Sequence, residues 1–119
     1  MPNPVTHFEI IGKDGKKLQD FYGKLFGWHI DANNPQNYGM VDTHAGKGIG
    51  GGIGAGDPSH PGNRVTIYVE PDDLAATLKK AESLGAKTVM PPTAIPGGNV
   101  TIAMFTDPEG NLMGLSKGM

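Results

Sequence analysis

The chain has 119 residues, 10 Lys and Arg against 12 Asp and Glu, a formal charge of −2 and no cysteine. That length gives one compact domain; the balanced charge provides no basic stripe for a nucleic-acid backbone; and the lack of thiols excludes disulfides, a thiolate nucleophile and a Cys-ligated metal. No apolar run approaches the ~20 residues that cross a bilayer, and Met1-Pro2-Asn3-Pro4 lacks the charged and apolar regions of a secretion signal, so a soluble cytoplasmic protein without nucleic-acid or membrane partners is expected.

The first element is the strand "VTHFEI", which sets Thr6, Phe8 and Ile10 on one face and Val5, His7 and Glu9 on the other. Gly12-Lys13-Asp14-Gly15 breaks it. Leu18, Phe21, Tyr22, Leu25 and Phe26 then recur at helical spacing, a single apolar stripe closed by Gly27. Trp28, His29 and Ile30 open a second strand, Asn33-Asn34-Pro35 makes a turn, and Tyr38 to Asp42 forms a third strand. The next segment, Ile49 to Ile53, is crowded with glycines. It is either a strand closely approached by another backbone or a ligand, or a mobile loop.

"GDPSHPGN", Gly56 to Asn63, has the composition of a linker, and the order of elements repeats after it. Val65, Ile67 and Val69 alternate with Arg64, Thr66 and Tyr68 in a strand. Asp72 or Asp73 caps a helix with apolar Leu74, Leu78, Ala81 and Leu84, ending at Gly85. Val89 and Met90 begin a further strand, "PPTAIPGGN" reads as a loop, and Val100 to Thr106 and Leu112 to Ser116 form a hairpin about Asp107-Pro108-Glu109-Gly110-Asn111. Its proline and glycine suit a type I turn followed by a left-handed residue. His7 and Arg64 occupy equivalent places 57 residues apart, and the helix-ending glycines Gly27 and Gly85 are 58 apart. Such repetition indicates two like modules, about 4–55 and 64–119, within one domain.

"HFEI", "FYGKLFGW", "YVEPDDLAATLKKAESLGAK" and "FTDPEGNLMGL", in that order over nearly the whole chain, resemble the vicinal oxygen chelate superfamily, which includes glyoxalase I, bleomycin- and fosfomycin-resistance proteins and extradiol dioxygenases. The resemblance implies an α+β fold of two βαβββ modules, a cupped mixed sheet with helices outside, a cavity across the modules and a homodimer. It also implies a divalent metal held by one side chain from the first and one from the last strand of each module, acting as a Lewis acid toward two adjacent substrate oxygens.

His7 matches the first of those ligand positions. The second falls in Gly50 to Gly54, the third on Arg64 and the fourth on Gly114. Glycine offers no donor, and a guanidinium has no lone pair to give, so His7 stands as a weak metal candidate and no cofactor is expected. His29, His44 and His60 read as solvated surface histidines.

The residues alone leave two uses for Arg64. It either clamps a carboxylate or phosphate of a ligand, or it closes an internal salt bridge with Glu9. His7 beside Glu9 is the candidate general acid or base. Thr66 and Tyr68 share the strand face of Arg64, while Trp28, Tyr38, Met40 and Met104 are candidate apolar walls for an organic ligand. The glycines of 50–54 and the 91–99 loop are candidate rims.

The reading that follows is a metal-independent binding protein of the glyoxalase and bleomycin-resistance type for a small organic ligand. The alternatives are a lyase, isomerase or dioxygenase using His7 and Glu9 with or without a metal, and an antibiotic-sequestering resistance protein. Arg64 on the ligand face argues against a cationic antibiotic.

Overall fold

The computed structural model describes residues 2–56, 62–97 and 99–118. Most of the expected linker, with His60, lies outside them. Residues 7–65 form one compact unit, and residues 1–6 with 66–119 form another. Each carries the pattern read from the sequence, a strand, a helix and three further strands, in a mixed four-stranded sheet.

In the first module β1 (Val5–Gly12) leads to α1 (Gly15–Phe26), then β2 (His29–Asp31), β3 (Gly39–Asp42) and β4 (Gly51–Ala55). The sheet order is β2-β3-β4-β1, with β1 parallel to β4 and the remaining pairs antiparallel. The Asp14 side chain caps α1 by accepting from Lys17 N at 3.1 Å, and Gly27 ends it at φ 70° with its N–H on Gly23 O.

The glycine-rich segment is a strand. It runs two residues later than expected because Gly51 and Gly52 pair with Phe8 and Glu9. The absent side chains let Phe8 close on Gly51 and a tyrosine ring close on Gly52. Ile53 and Val41 are buried on the α1 side, yet no residue of α1 itself is buried: Phe21, Leu25 and Phe26 keep more than half their surface exposed.

The second module runs β5 (Arg64–Val69), α2 (Leu74–Ser83), β6 (Lys87–Ala94), β7 (Thr101–Thr106) and β8 (Leu112–Lys117), in the order β5-β8-β7-β6. Of the two candidate caps, Asp73 takes the role, accepting from Ala76 N at 3.0 Å. Leu74 and Leu78 of α2 bury against Ala103 and Leu115, with Val69 and Phe105 packed alongside. Gly85 follows the helix at φ 104°.

The expected 91–99 loop begins later than its prolines suggest, since β6 continues through Pro91 and Pro92 to Ala94. Proline removes a ladder donor, and it is tolerated here because β6 is the edge strand of its module, with register shifts against β7 at Thr88/Met90 and Met90/Thr93. The hairpin has the geometry its residues dictate: Gly110 N donates to Asp107 O at 2.9 Å, and Gly110 lies at φ 90°. Among the described residues no helix is long and apolar enough to cross a membrane.

Candidate functional site

The alternation of β1 fixes which side chains share a face. Phe8 packs on Trp28, with ring centroids 5.5 Å apart, and Trp28 is held at 6.0 Å by Tyr22 and 4.9 Å by Phe26. Phe8 therefore looks toward α1, and His7 and Glu9 look the other way. Both are buried, His7 at 4 % and Glu9 at 7 % of full exposure, so this polar strand face is not a solvated one. A buried carboxylate needs partners, and three side chains supply a connected set.

Arg64 Nη2 donates to Glu9 Oε1 at 3.2 Å, so the salt bridge left open by the sequence is formed. The Tyr38 hydroxyl donates to the other carboxylate oxygen, Oε2, at 2.9 Å. His7 Nε2 lies 3.0 Å from the same hydroxyl oxygen, with the two rings roughly parallel. A continuous chain results: guanidinium, carboxylate, phenol, imidazole. Arg64 Nε is also buried and has no hydrogen-bond partner among the described residues.

Local structure explains how Tyr38 reaches this position. Asn34 grips its backbone from both sides, Oδ1 accepting from Tyr38 N at 2.9 Å and Nδ2 donating to Tyr38 O at 2.6 Å. Gly52 is the cross-strand neighbour of Glu9, and a Cβ there would overlap the Tyr38 hydroxyl and ring. The glycine is thus the seat of the phenol. The sequence alone makes Tyr38 an apolar wall and Asn34 only part of a turn. The available signal was Gly52 itself, because a side-chain-free position beside a carboxylate leaves room for a group from elsewhere.

Burial lowers the pKa of His7 below the ordinary 6.5, since desolvation disfavours the imidazolium, and the nearby Glu9 charge opposes that only in part. The imidazole is accordingly neutral at neutral pH. A neutral imidazole hydrogen-bonded to a phenol that is itself bonded to a carboxylate can accept a proton and have the resulting charge compensated at short range.

The other expected site residues fall in several places. Met40, on β3, is the cross-strand neighbour of Gly52 and is 49 % exposed. Trp28 belongs to the ring cluster with α1 and Phe8. In the second unit Thr66 and Tyr68 are buried on the face of β5 that alternates away from Val69 and the α2 core. The Tyr68 ring lies 2.5 Å from where a Cβ on Gly114 would stand, and Met104, buried, is the cross-strand neighbour of that same glycine. The two modules thus repeat one device, a tyrosine seated on a last-strand glycine, at Gly52 and at Gly114. The Thr66 and Ser116 hydroxyls are buried with no partner among the described residues.

His29 and His44 stack at 5.4 Å, and His44 Nε2 lies 3.2 Å from Asp42 Oδ2 on an exposed surface. Among the described residues no group of three or more metal-capable side chains is gathered.

Comparison with known proteins agrees with this architecture. The model of the Glyoxalase/Bleomycin resistance protein/Dioxygenase superfamily matches residues 5–115. Methylmalonyl-CoA epimerase from Mycobacterium tuberculosis superposes with a TM-score of 0.67 at 20% identity, over 97% of this chain and 87% of that one. A structure described as NAD-dependent benzaldehyde dehydrogenase from Legionella pneumophila gives 0.69 at 15% identity, over 97% of both chains. Streptomyces coelicolor methylmalonyl-CoA epimerase in complex with 2-nitronate-propionyl-CoA gives 0.63 at 17% identity, over 98% of this chain and 94% of that one. At such identities the likeness is one of fold. No curated protein sequence matches.

Proposed function

Because the chain belongs to the Glyoxalase/Bleomycin resistance protein/Dioxygenase superfamily, we propose that it holds a small organic molecule against the His7 and Glu9 face of its first module, without a resident divalent metal. One observation carries this reading: the side chains that would have to serve a cation are committed to one another. Glu9 accepts from Arg64 and Tyr38, and His7 Nε2 meets the Tyr38 hydroxyl. A cation would stand beside the Arg64 guanidinium, which repels it, and would compete with Arg64 and Tyr38 for the Glu9 oxygens, so the residues present do not fit it.

The arrangement also indicates the guest. Arg64 and Glu9 neutralise each other, so the face does not demand a strongly charged molecule. A hydroxyl or carbonyl oxygen suits the polar chain, and a carboxylate would have to share Arg64 with Glu9. A thermal-shift screen of neutral and singly anionic oxygen-bearing compounds tests this, since a ligand bound to the native state raises the melting temperature. Hits are expected to be lost in Arg64→Ala and weakened in Tyr38→Phe; hits that survive both changes place the ligand elsewhere. Protein purified without chelator and carrying close to one equivalent of a divalent metal would refute the metal-free reading.

A second reading, an isomerase-type enzyme that moves a proton, is favoured by the neutral imidazole in contact with a phenol–carboxylate pair. Deuterium incorporation from D2O into a bound carbon acid, abolished in His7→Gln, is its test. The expectation of a homodimer draws support from the exposed Phe21, Leu25 and Phe26 of α1, and light scattering on the eluted protein decides it.

A further inference from the structure

The hydrogen bonds around Tyr38 can be read as a count of protons. Glu9 accepts at Oε1 from Arg64 and at Oε2 from the Tyr38 hydroxyl. A phenol has one proton, and here it is spent on the carboxylate. The same oxygen lies 3.0 Å from His7 Nε2, so on that side it can only accept. The proton of that contact must therefore come from the imidazole.

We infer that Tyr38 is a positioning residue, which links the Glu9–Arg64 ion pair to His7, holds the imidazole as its Nε2–H tautomer and so makes Nδ1 its basic nitrogen. This deepens the proton-transfer reading and rests on it. The geometry supporting the role is rigid at both ends. Asn34 fixes the Tyr38 backbone by two hydrogen bonds, and Gly52 leaves the ring the space that a Cβ there would fill. Arg64 in turn orients Glu9, so that the phenol faces an ionised acceptor and has no reason to turn its proton toward the imidazole.

The chemical consequence concerns where a proton goes. When a carbon or oxygen acid is deprotonated, its proton bonds to Nδ1 and the electron pair of the broken bond stays on the substrate. The imidazolium that forms keeps its Nε2–H on the Tyr38 oxygen, and the Glu9 carboxylate beyond it, shared with Arg64, offsets part of the cost of the new cation. Reprotonation reverses both changes, so the site ends as it began. A phenylalanine at 38 would remove the acceptor that selects the tautomer while preserving the ring on Gly52.

The test is a long-range proton–nitrogen NMR correlation spectrum of 15N-labelled protein at neutral pH, with His7 assigned by its disappearance in His7→Gln. The expected pattern is a single neutral tautomer with the proton on Nε2 and an unprotonated Nδ1. In Tyr38→Phe, the pattern should shift to a mixture of tautomers or to Nδ1–H, while Arg64→Lys, which keeps a cation on Glu9, should retain the wild-type pattern. A wild-type His7 with its proton on Nδ1 overturns the inference whether or not any variant folds. An unchanged Nε2–H pattern in well-folded Tyr38→Phe overturns the role of Tyr38. The spectrum needs no substrate, so its outcome is separate from that of the deuterium experiment, which tests proton transfer itself.

Discussion

Gly52→Ala is the sharpest probe of how the site is built, because one methyl group is aimed at one side chain. The new Cβ would overlap the Tyr38 hydroxyl and ring, whereas Gly52 needs no left-handed backbone, so alanine is strained by the contact alone. The obstacle is the far end of a side chain, which can swing away. The cost is therefore what Tyr38 loses in leaving: a hydrogen bond to a buried carboxylate, about 1.5–3 kcal/mol, and a share of the roughly 1–3 kcal/mol that overpacking typically costs. Replacing glycine returns about 0.4–1 kcal/mol through the unfolded state. The net expectation is a destabilisation of roughly 2–4 kcal/mol, a fall of about 8–16 °C in Tm at ~4 °C per kcal/mol.

Urea titration followed by circular dichroism, on wild type, Gly52→Ala, Tyr38→Ala and the double variant, measures it. In the Tyr38→Ala background the obstacle is gone, so Gly52→Ala should be neutral or slightly stabilising, giving a coupling of about 2 kcal/mol or more. If Gly52→Ala costs the same in both backgrounds, to within about 0.5 kcal/mol, the tyrosine does not sit on this glycine.

Arg64→Ala leaves the Glu9 carboxylate buried with Tyr38 but without its cation. A fully buried pair broken this way costs about 3–5 kcal/mol, and the 22 % exposure of the Arg64 side chain reduces that to roughly 2–3 kcal/mol, readable as a shift in urea midpoint at unchanged slope. For pH, the depressed pKa of His7 means that the unfolded chain takes up a proton first as pH falls through about 6.5. Its contribution is thus fully present above that value, is lost on acidification, and levels off below the folded pKa; His7→Gln should remove this part of the stability profile, and parallel wild-type and variant profiles would disprove the shift. Asp73→Ala should cost about 1 kcal/mol, since only the Ala76 N–H loses its acceptor while Leu74 and Leu78 stay buried, and thermal melts of both proteins check it.

Much of this architecture is local chemistry and was therefore legible in order along the chain. Asp14 and Asp73 are followed three residues later by an amide to cap, Gly27 and Gly85 take the positive φ that a helix end requires, and the Asp107–Gly110 turn closes as its proline and glycine dictate. Strand alternation put His7 and Glu9 on one face, and the repetition between His7 and Arg64 implied two like modules. For the 91–99 loop an edge was responsible: Pro91 and Pro92 stop a central strand but not β6, and nothing in the run of residues says which strand will have an unpaired side.

The residues that meet at the site come from positions 7, 9, 38, 52 and 64, and their meeting was not legible. Periodicity says which face a residue takes; it does not say which distant residue will arrive there, because that depends on how β4 pairs with β1 and where the Asn34 turn delivers Tyr38. The sequence by itself determined the two modules, their helices and turns, and that position 64 carries a guanidinium with no lone pair to give, since those follow from each residue's own backbone preference and chemistry. Tertiary structure alone decided that Arg64 is spent on Glu9 and that a phenol stands on Gly52. Burial decided the rest: the carboxylate could not remain without partners, and the imidazole binds a proton less readily because it lost its water.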